Sequence, residues 1–298
     1  MPSPEPEHDR GSRLVDVEGL RIRTAVRGHG PPVLLIMGIG GNLDMWGRFE
    51  TCLHAHGLQT ITYDAPGTGG STGYRRPQRV PALARTIERL LTALGYERVD
   101  VLGVSFGGGI AQQLAHQAPT RVRRLVLAAT MPGLGGVPGH PRALLAMATP
   151  RRYFDPDYYR KVAGPLYGGE ARRNPEQSLD NSLARFSRPP SWGGYLAQLY
   201  AIPGWSSLPW LRRLPQPTLV LGGDDDPIVP LVNARILARL IPSSRLHVVA
   251  GGGHLFIVER AAEIAGIVAD FLTSPPHTQP GLQTNTTHSW RPGAWPRP

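Results

Sequence analysis

One serine, one late histidine and a run of three aspartates have the types and spacing that acyl-transfer chemistry needs. Ser105 stands in V101-L-G-V-S-F-G-G-G109, between an apolar run and a helix pattern. In a chain with 36 glycines a G-x-S-x-G match alone is weak evidence. The setting carries more weight. A sharp strand-to-helix turn needs small neighbours, and Gly103 and Gly107 supply them. Such a turn pushes the hydroxyl out at the C-terminal edge of a sheet, where α/β proteins bind ligands. The plain alternative is a turn serine without chemistry.

A serine hydroxyl needs a base to take its proton. Of ten histidines, His8, His277 and His288 lie near the ends of the chain, and His247 lies inside a strand pattern. His254 follows L246-H-V-V249 and A250-G-G-G253, on a loop just past a strand end. It also comes late, in the chain order serine, acid, histidine. The base needs an orienting carboxylate. Three aspartates follow a strand in L219-V-L-G-G-D-D-D-P-I-V-P230. Adjacent carboxylates repel, so one is expected against the imidazole. Asp226, three residues past Gly223 and directly before Pro227, is the first choice and Asp225 the second. Asp224 is expected to face solvent or tie down the turn.

A tetrahedral intermediate needs N–H donors for its oxyanion. The glycines of M37-G-I-G-G-N42 let a backbone turn its amides towards the site, and the expected donors are the N–H groups of Ile39 and Phe106. The alternatives for this loop are a plain turn or a phosphate cradle. No Lys-Ser/Thr follows it and the full G-x-G-x-x-G spacing is missing, which opposes both nucleotide readings. A further glycine-rich strand end, Y63-D-A-P-G-T-G-G-S71, is read as a turn held by Asp64 and Ser71.

These loops need strands and helices to place them. L14–V17 and L20–V26 flank Glu18-Gly19, a hairpin signal. V33–M37, Q59–Y63, V99–V104, L125–A129, T218–L221 and L246–V249 read as strands. Residues 45–56, 80–94, 110–118, 231–240 and 259–272 read as helices. Strands alternating with helices imply a mostly parallel sheet covered on both faces, an α/β fold. Residues 131–213 break the rhythm and are read as an inserted cap, between core segments 13–130 and 214–273. Residues 1–12 and 274–298 are read as loosely held tails.

Composition narrows the function classes. The formal charge of +10 invites a nucleic-acid partner, but Lys161 is the sole lysine and the arginines are scattered. A solvated arginine-rich surface is the preferred reading, without nucleic acid. The longest apolar runs are too short to cross a bilayer, and the first residues lack the apolar core of a secretory signal. The single cysteine, Cys52, excludes an internal disulfide and fits the cytoplasm. No metal-ligand cluster and no cofactor motif is visible.

The elbow, acid loop and late histidine together resemble the α/β-hydrolase superfamily. The segments V101-L-G-V-S-F-G-G-G-I-A-Q-Q-L-A-H116, L125-V-L-A-A-T130, M147-A-T-P-R-R-Y153, Q216–P230, R21–R27, Y167-G-G169 and G253-H-L-F256 resemble the intracellular poly(3-hydroxyalkanoate) depolymerases that act on medium-chain-length polyester. The resemblance covers roughly residues 14–272, part of the cap included. It implies an α/β-hydrolase fold with a cap, and a nucleophile, acid and base at Ser105, Asp226 and His254. It implies hydrolysis of a 3-hydroxyacyl polyester through an acyl-enzyme without cofactor, in the cytoplasm, free or at the surface of polyester granules. Two departures concern substrate fit rather than reaction. Phe106 stands where the family usually has Trp, and cap residues 170–200 match poorly.

Trp192, Tyr195, Tyr200, Trp205 and Trp210 fall close together in the cap, as a polymer-facing wall or as ordinary packing. Two other functions remain open. One is an esterase, lactonase or C–C hydrolase of the same fold acting on small soluble substrates. The other is a non-catalytic granule-binding protein on a hydrolase fold.

Overall fold

The computed structural model describes residues 11–275. The tails read at 1–12 and 274–298 therefore lie outside the described residues, apart from two positions at each inner end. β1 (Ser12–Val17) and β2 (Leu20–Arg27) pair as a hairpin. Its turn residues Glu18 and Gly19 have φ of 52° and 81°. Two positive φ values match the right-handed twist of a two-residue hairpin.

β3 (Pro32–Ile36) leads through the glycine loop into a 3₁₀ turn, Leu43–Trp46, and then α1 (Gly47–Ala55). One helix over 45–56 was expected. Gly47, at φ 23°, breaks it into two pieces. β4 (Gln59–Tyr63), α2 (Val80–Ala93), β5 (Val99–Val104), α3 (Phe106–Gln117) and β6 (Val122–Ala128) follow. α3 begins four residues before its expected start. Gly107, Gly108 and Gly109 have poor helix propensity, and tertiary packing overrides it there.

The segment between β6 and β7 forms α4 (Pro141–Met147), α5 (Pro156–Tyr167), α6 (Gly169–Arg173), α7 (Pro175–Asp180), α8 (Ala184–Ser187) and α9 (Trp192–Ala201). The rhythm resumes with β7 (Thr218–Gly223), α10 (Leu231–Leu240), β8 (Ser244–Val249), α11 (Phe256–Glu259) and α12 (Ala261–Thr273).

The strands form one eight-stranded sheet in the order β1-β2-β4-β3-β5-β6-β7-β8. β1 and β2 run antiparallel at one edge, and β3 to β8 are mutually parallel. Side-chain alternation divides the core. Leu34 and Ile36 of β3 pack in the layer formed with α2, α3 and α10. Val33 and Leu35 pack in the opposite layer, with α1 and α12. Both faces are thus covered, as a parallel sheet requires.

The inserted segment has its own apolar cluster, including Tyr159, Leu166 and Leu179, which Ile228 and Val229 of the loop after β7 complete. Hydrogen bonds tie it to the C-terminal strand ends. Asn42 Nδ2 donates to the carbonyls of Ala184 (3.2 Å) and Arg188 (2.9 Å), and Ser191 Oγ donates to that of Gly67 (3.1 Å). The segment therefore lies along the edge where Ser105 and the aspartate loop emerge.

Candidate active site

Ser105 is the only residue between β5 and α3, and its backbone turns at φ 55° and ψ −121°. A non-glycine residue in such a conformation costs on the order of 1–3 kcal/mol. Hydrogen bonds hold it there. Its N–H donates to the Ala128 carbonyl (2.9 Å), and its own carbonyl accepts from Gly108 N–H (2.9 Å) and Thr130 Oγ1 (2.7 Å). Close backbone approach explains the flanking glycines. A Cβ on Gly103 would lie 2.4 Å from the Gly107 carbonyl oxygen, and one on Gly107 would lie 2.2 Å from that of Ile36.

The loops after β7 and β8 bring the other two groups to this serine. Asp226 Oδ1 accepts the backbone N–H groups of Ile228 and Val229, each at 2.9 Å. Its Oδ2 lies 2.7 Å from His254 Nδ1, and His254 Nε2 lies 2.9 Å from Ser105 Oγ. A carboxylate only accepts, so Nδ1 donates to it and Nε2 is left to accept the serine proton. Asp226 and His254 are both buried, while Ser105 is partly exposed.

The neighbouring aspartates go elsewhere. Asp224 Oδ1 accepts the Gly251 N–H (2.6 Å), which ties the β7 loop to the β8 loop. Asp225 accepts the Gly169 N–H (2.8 Å) and pairs with Arg172 (2.7 Å), both in the inserted segment. That segment also touches the histidine. The Tyr167 carbonyl accepts the His254 N–H (2.7 Å), and the two rings stack with centroids 6.4 Å apart.

The glycine loop after β3 lies beside the serine: a Cβ on Gly38 would be 3.9 Å from Ser105 Oγ. The next peptide is gripped on both sides. Tyr153 Oη donates to the Ile39 carbonyl (2.6 Å), and Gly40 N–H donates to Gln198 Oε1 (2.7 Å). Phe106 is the first residue of α3, so its N–H has no acceptor within the helix. Among the described residues neither that N–H nor the Ile39 N–H meets an acceptor.

Asp64 and Ser71 hold a turn. Asp64 is fully buried and accepts the N–H groups of Leu43 and Gly70, each at 2.7 Å, and Arg23 Nη1 at 3.3 Å. Ser71 Oγ donates to the Asp64 carbonyl. Burial pushes the Asp64 carboxyl above its usual value, and the two amides and Arg23 oppose that.

Five residues around the site are given no role from the sequence: Thr130, Arg152 and Tyr153, which fall in segments that carry the resemblance, and Gln198 and Arg185, which do not. Thr130 directly follows the strand pattern L125–A129, and a polar residue there could have flagged it. The arginines are the larger omission. Both are fully buried among tyrosines. Arg152 Nε and Arg185 Nη1 each donate to Tyr167 Oη at 3.0 Å, and Arg152 Nη1 donates to Tyr195 Oη at 2.8 Å. The Arg185 guanidinium lies 4.3 Å from the centre of the Tyr159 ring. Among the described residues neither arginine forms an ion pair with a carboxylate. Burial alone would raise the Tyr167 phenol, but the charges of Arg185 and Arg152 outweigh it and hold the phenol below its usual value.

The aromatic group expected at the cap divides. Tyr195 is buried, Trp205 Nε1 donates to Gln113 (2.7 Å), and Trp210 stacks on His116 at 4.3 Å. These three are packing residues. Trp192 and Tyr200 are 55% and 48% exposed. Among the described residues no three His, Cys, Asp or Glu side chains converge as a metal site would need, and no helix is long and apolar enough to cross a membrane.

Comparison with known proteins agrees with this fold. The family model described as alpha/beta hydrolase fold matches residues 31–261. The chain is 46% identical over 265 residues to poly(3-hydroxyalkanoate) depolymerase of Ectopseudomonas oleovorans, covering 87% of this chain and 92% of that protein. It is 30% identical over 293 residues to 2-hydroxymuconate semialdehyde hydrolase of Pseudomonas sp. (strain CF600), covering 91% and 97%. Among solved structures, a hydrolase from Pseudomonas aeruginosa PA01 superposes with a TM-score of 0.75 at 25% identity, over 89% of this chain and 99% of that one. The chain belongs to the α/β-hydrolase fold family.

Proposed function

We propose that this protein hydrolyses the ester bonds of a poly(3-hydroxyalkanoate) through a covalent acyl-enzyme. The observation that carries the reading is the continuous relay from Asp226 through His254 to Ser105 Oγ at a strained strand-to-helix turn. The 46% identity to a poly(3-hydroxyalkanoate) depolymerase supports the substrate class.

The geometry suits each step. Ser105 Oγ attacks the ester carbonyl as His254 Nε2 takes its proton. Asp226, fixed by two backbone amides, holds the imidazole tautomer and stabilises the imidazolium. The tetrahedral oxyanion sits between the N–H groups of Ile39 and Phe106. His254 then protonates the departing alkoxide oxygen as its bond to the carbonyl carbon breaks, and water activated by the same histidine releases the 3-hydroxy acid. An insoluble polymer must also be met at a surface. Trp192, Leu196 and Tyr200 recur every four residues along α9 and are exposed, and Phe154 stacks on Trp192. This apolar stripe suits contact with an aliphatic polyester.

One observation favours a second reading. The chain is also 30% identical to 2-hydroxymuconate semialdehyde hydrolase over nearly the whole of both proteins. The same relay would then serve a small soluble substrate. Turbidity loss of a medium-chain polyester emulsion separates the two. Wild type is expected to clear it, and Ser105→Ala to lose roughly 10⁴-fold or more of that rate. Hydrolysis of short soluble esters without clearing would favour the second reading. Granule binding without any Ser105-dependent hydrolysis would show a non-catalytic protein.

A further inference from the structure

The corner Y167-G-G169, where α5 gives way to α6, bears on both loops that carry Asp226 and His254. The Tyr167 carbonyl accepts the His254 N–H (2.7 Å), and the Tyr167 ring lies at 13° to the imidazole with centroids 6.4 Å apart. Close main-chain approach fixes the corner. A Cβ on Gly168 would lie 1.9 Å from the Asp225 carbonyl oxygen, and one on Gly169 would lie 2.2 Å from the Gly253 nitrogen. The two glycines have φ of 65° and 50°. The Tyr167 side chain is therefore carried on backbone that moves only with the acid and histidine loops.

The hydroxyl end of Tyr167 differs from those of its neighbours. Tyr153 Oη donates to the Ile39 carbonyl (2.6 Å), Tyr195 Oη to the Met147 carbonyl (2.6 Å) and Tyr159 Oη to Ser182 Oγ (3.1 Å). Each of these phenols has an acceptor for its proton. Tyr167 Oη takes the N–H groups of Arg152 Nε and Arg185 Nη1, each at 3.0 Å, and among the described residues it meets no acceptor. A guanidinium only donates, so a proton on this oxygen would face two donors. Both guanidiniums are fully buried, and the ionisable groups that act on them are tyrosines. Buried cations need a counter-charge. An oxygen without its proton meets both needs. Burial opposes that ionisation, and the charges of Arg185 and Arg152 outweigh it. The other titratable groups facing the ring are Tyr153 of the turn Arg151–Tyr153, Tyr159 of α5, Tyr195 of α9 and His254 of the loop after β8. The three phenols donate their protons, so none of the four is a competing anion.

We infer that Tyr167 is a positioning residue for His254, anchored as the anionic partner of Arg152 and Arg185. The inference rests on the hydrolase reading of the relay and deepens it. When His254 takes the Ser105 proton, the imidazolium has Asp226 at Nδ1 and the Tyr167 ring alongside. With the phenolate in place, the cage beside that imidazolium carries one net positive charge. Without the phenolate it carries two. The anion therefore lowers the cost of charging His254, and it acts through space. No proton moves at Tyr167: the one from Ser105 goes to His254 and from there to the leaving alkoxide.

The test compares wild type, Tyr167→Phe and the double variant Tyr167→Phe/Arg185→Met on a soluble para-nitrophenyl ester and on a polymer emulsion. Folded wild type at neutral pH is expected to show near-ultraviolet phenolate absorption that disappears on unfolding in urea and is missing from Tyr167→Phe. On the soluble ester, kcat of Tyr167→Phe is expected to fall about 10-fold with KM within about 2-fold. The double variant returns the cage to one net charge and is expected to regain about 3-fold of that loss. A cage that only packs would lose more activity with the second substitution. The inference is overturned by folded wild type without phenolate absorption, by full kcat in folded Tyr167→Phe, or by a double variant slower than the single one, even where wild type clears polymer. Should Tyr167→Phe leave two unpaired cations and fail to fold, the wild-type spectrum and the double variant carry the test. A phenolate band together with a kcat within about 3-fold of wild type upholds the inference, and the loss of either overturns it. The expected pattern on the soluble ester without polymer clearing would uphold Tyr167 and remove the polyester as substrate. Wild type inactive on both would overturn this inference together with the hydrolase reading.

Discussion

At the sheet edge, backbone holds the side chains that could do chemistry. Ser105 is fixed by its own amide and carbonyl, Asp226 by the amides of Ile228 and Val229, and Asp224 by that of Gly251. In the inserted segment, side chains hold side chains. Arg152 and Arg185 are buried against Tyr153, Tyr159, Tyr167 and Tyr195. The first arrangement depends on close main-chain approach and therefore on glycine at fixed spacing. The second depends on which large side chains happen to meet, and tolerates many spacings. The two regions meet where Tyr153 bonds Ile39, Gln198 bonds Gly40, Tyr167 stacks on His254 and Asp225 bonds Gly169, besides the bonds of Asn42 and Ser191 that tie the segment to the strand ends.

The sharpest way to break this contrast is at the elbow. Gly107→Ala places a Cβ 2.2 Å from the Ile36 carbonyl oxygen and 2.5 Å from that of Met37. Neither atom belongs to a flexible side chain, so β3 and α3 must part. A displacement near 1 Å costs about 100-fold in rate. Ester hydrolysis by the folded variant is expected to fall at least that far. Full activity would show that the turn does not depend on close approach.

A smaller effect is expected where the regions meet. Tyr153→Phe deletes the hydrogen bond to the Ile39 carbonyl and keeps the ring. A bond of this kind is worth about 1 kcal/mol. kcat is expected to fall about 5-fold with KM within 2-fold, because the loop loosens and the substrate contacts remain. A rise in KM alone would mean that Tyr153 binds substrate and does not position the loop. The next step down alters no reaction group. Arg185→Met removes one of the two charges that depress the Tyr167 phenol. The phenol is then expected to ionise at higher pH, read as near-ultraviolet phenolate absorption against a Tyr167→Phe control. An unchanged titration would show that Arg152 alone holds it.

The same contrast explains what could be read from the sequence. β5 and α10 occur at the residues that apolar runs and periodicity indicate, because burial on one or both faces fixes their pattern. Spacing from Gly223 singled out Asp226 among three adjacent aspartates, and Asp226 is the one that faces His254. The helix over 45–56 failed at one glycine, and α3 hid behind three. Tyr153, Gln198 and the buried arginines were illegible for a different reason. Tyr153 meets Ile39 across 114 positions and Gln198 meets Gly40 across 158. No local period records such a meeting. An arginine in a polar-looking segment reads as surface until its tyrosines are seen around it.

The smallest expected effect lies at Glu259, which joins the two regions from α11. Its Oε1 accepts from Ser178 Oγ of α7 at 3.3 Å. Partial burial pushes its carboxyl up to about 7; the charge of Glu170 adds to this, and the bond from Ser178 opposes it. The folded protein therefore binds this proton more tightly than the unfolded chain does. The stabilisation is complete below the ordinary value of 4.5 and is lost as pH rises through about 7. Glu259→Gln keeps the shape and removes the titration. Its melting temperature is expected to exceed that of wild type above about pH 8, with the two converging near pH 5. A variant that melts lower than wild type at both values would mean that the ionised carboxylate holds α11 to α7. The joint would then resemble the arginine cage, with side-chain charge doing what main-chain amides do at the sheet edge.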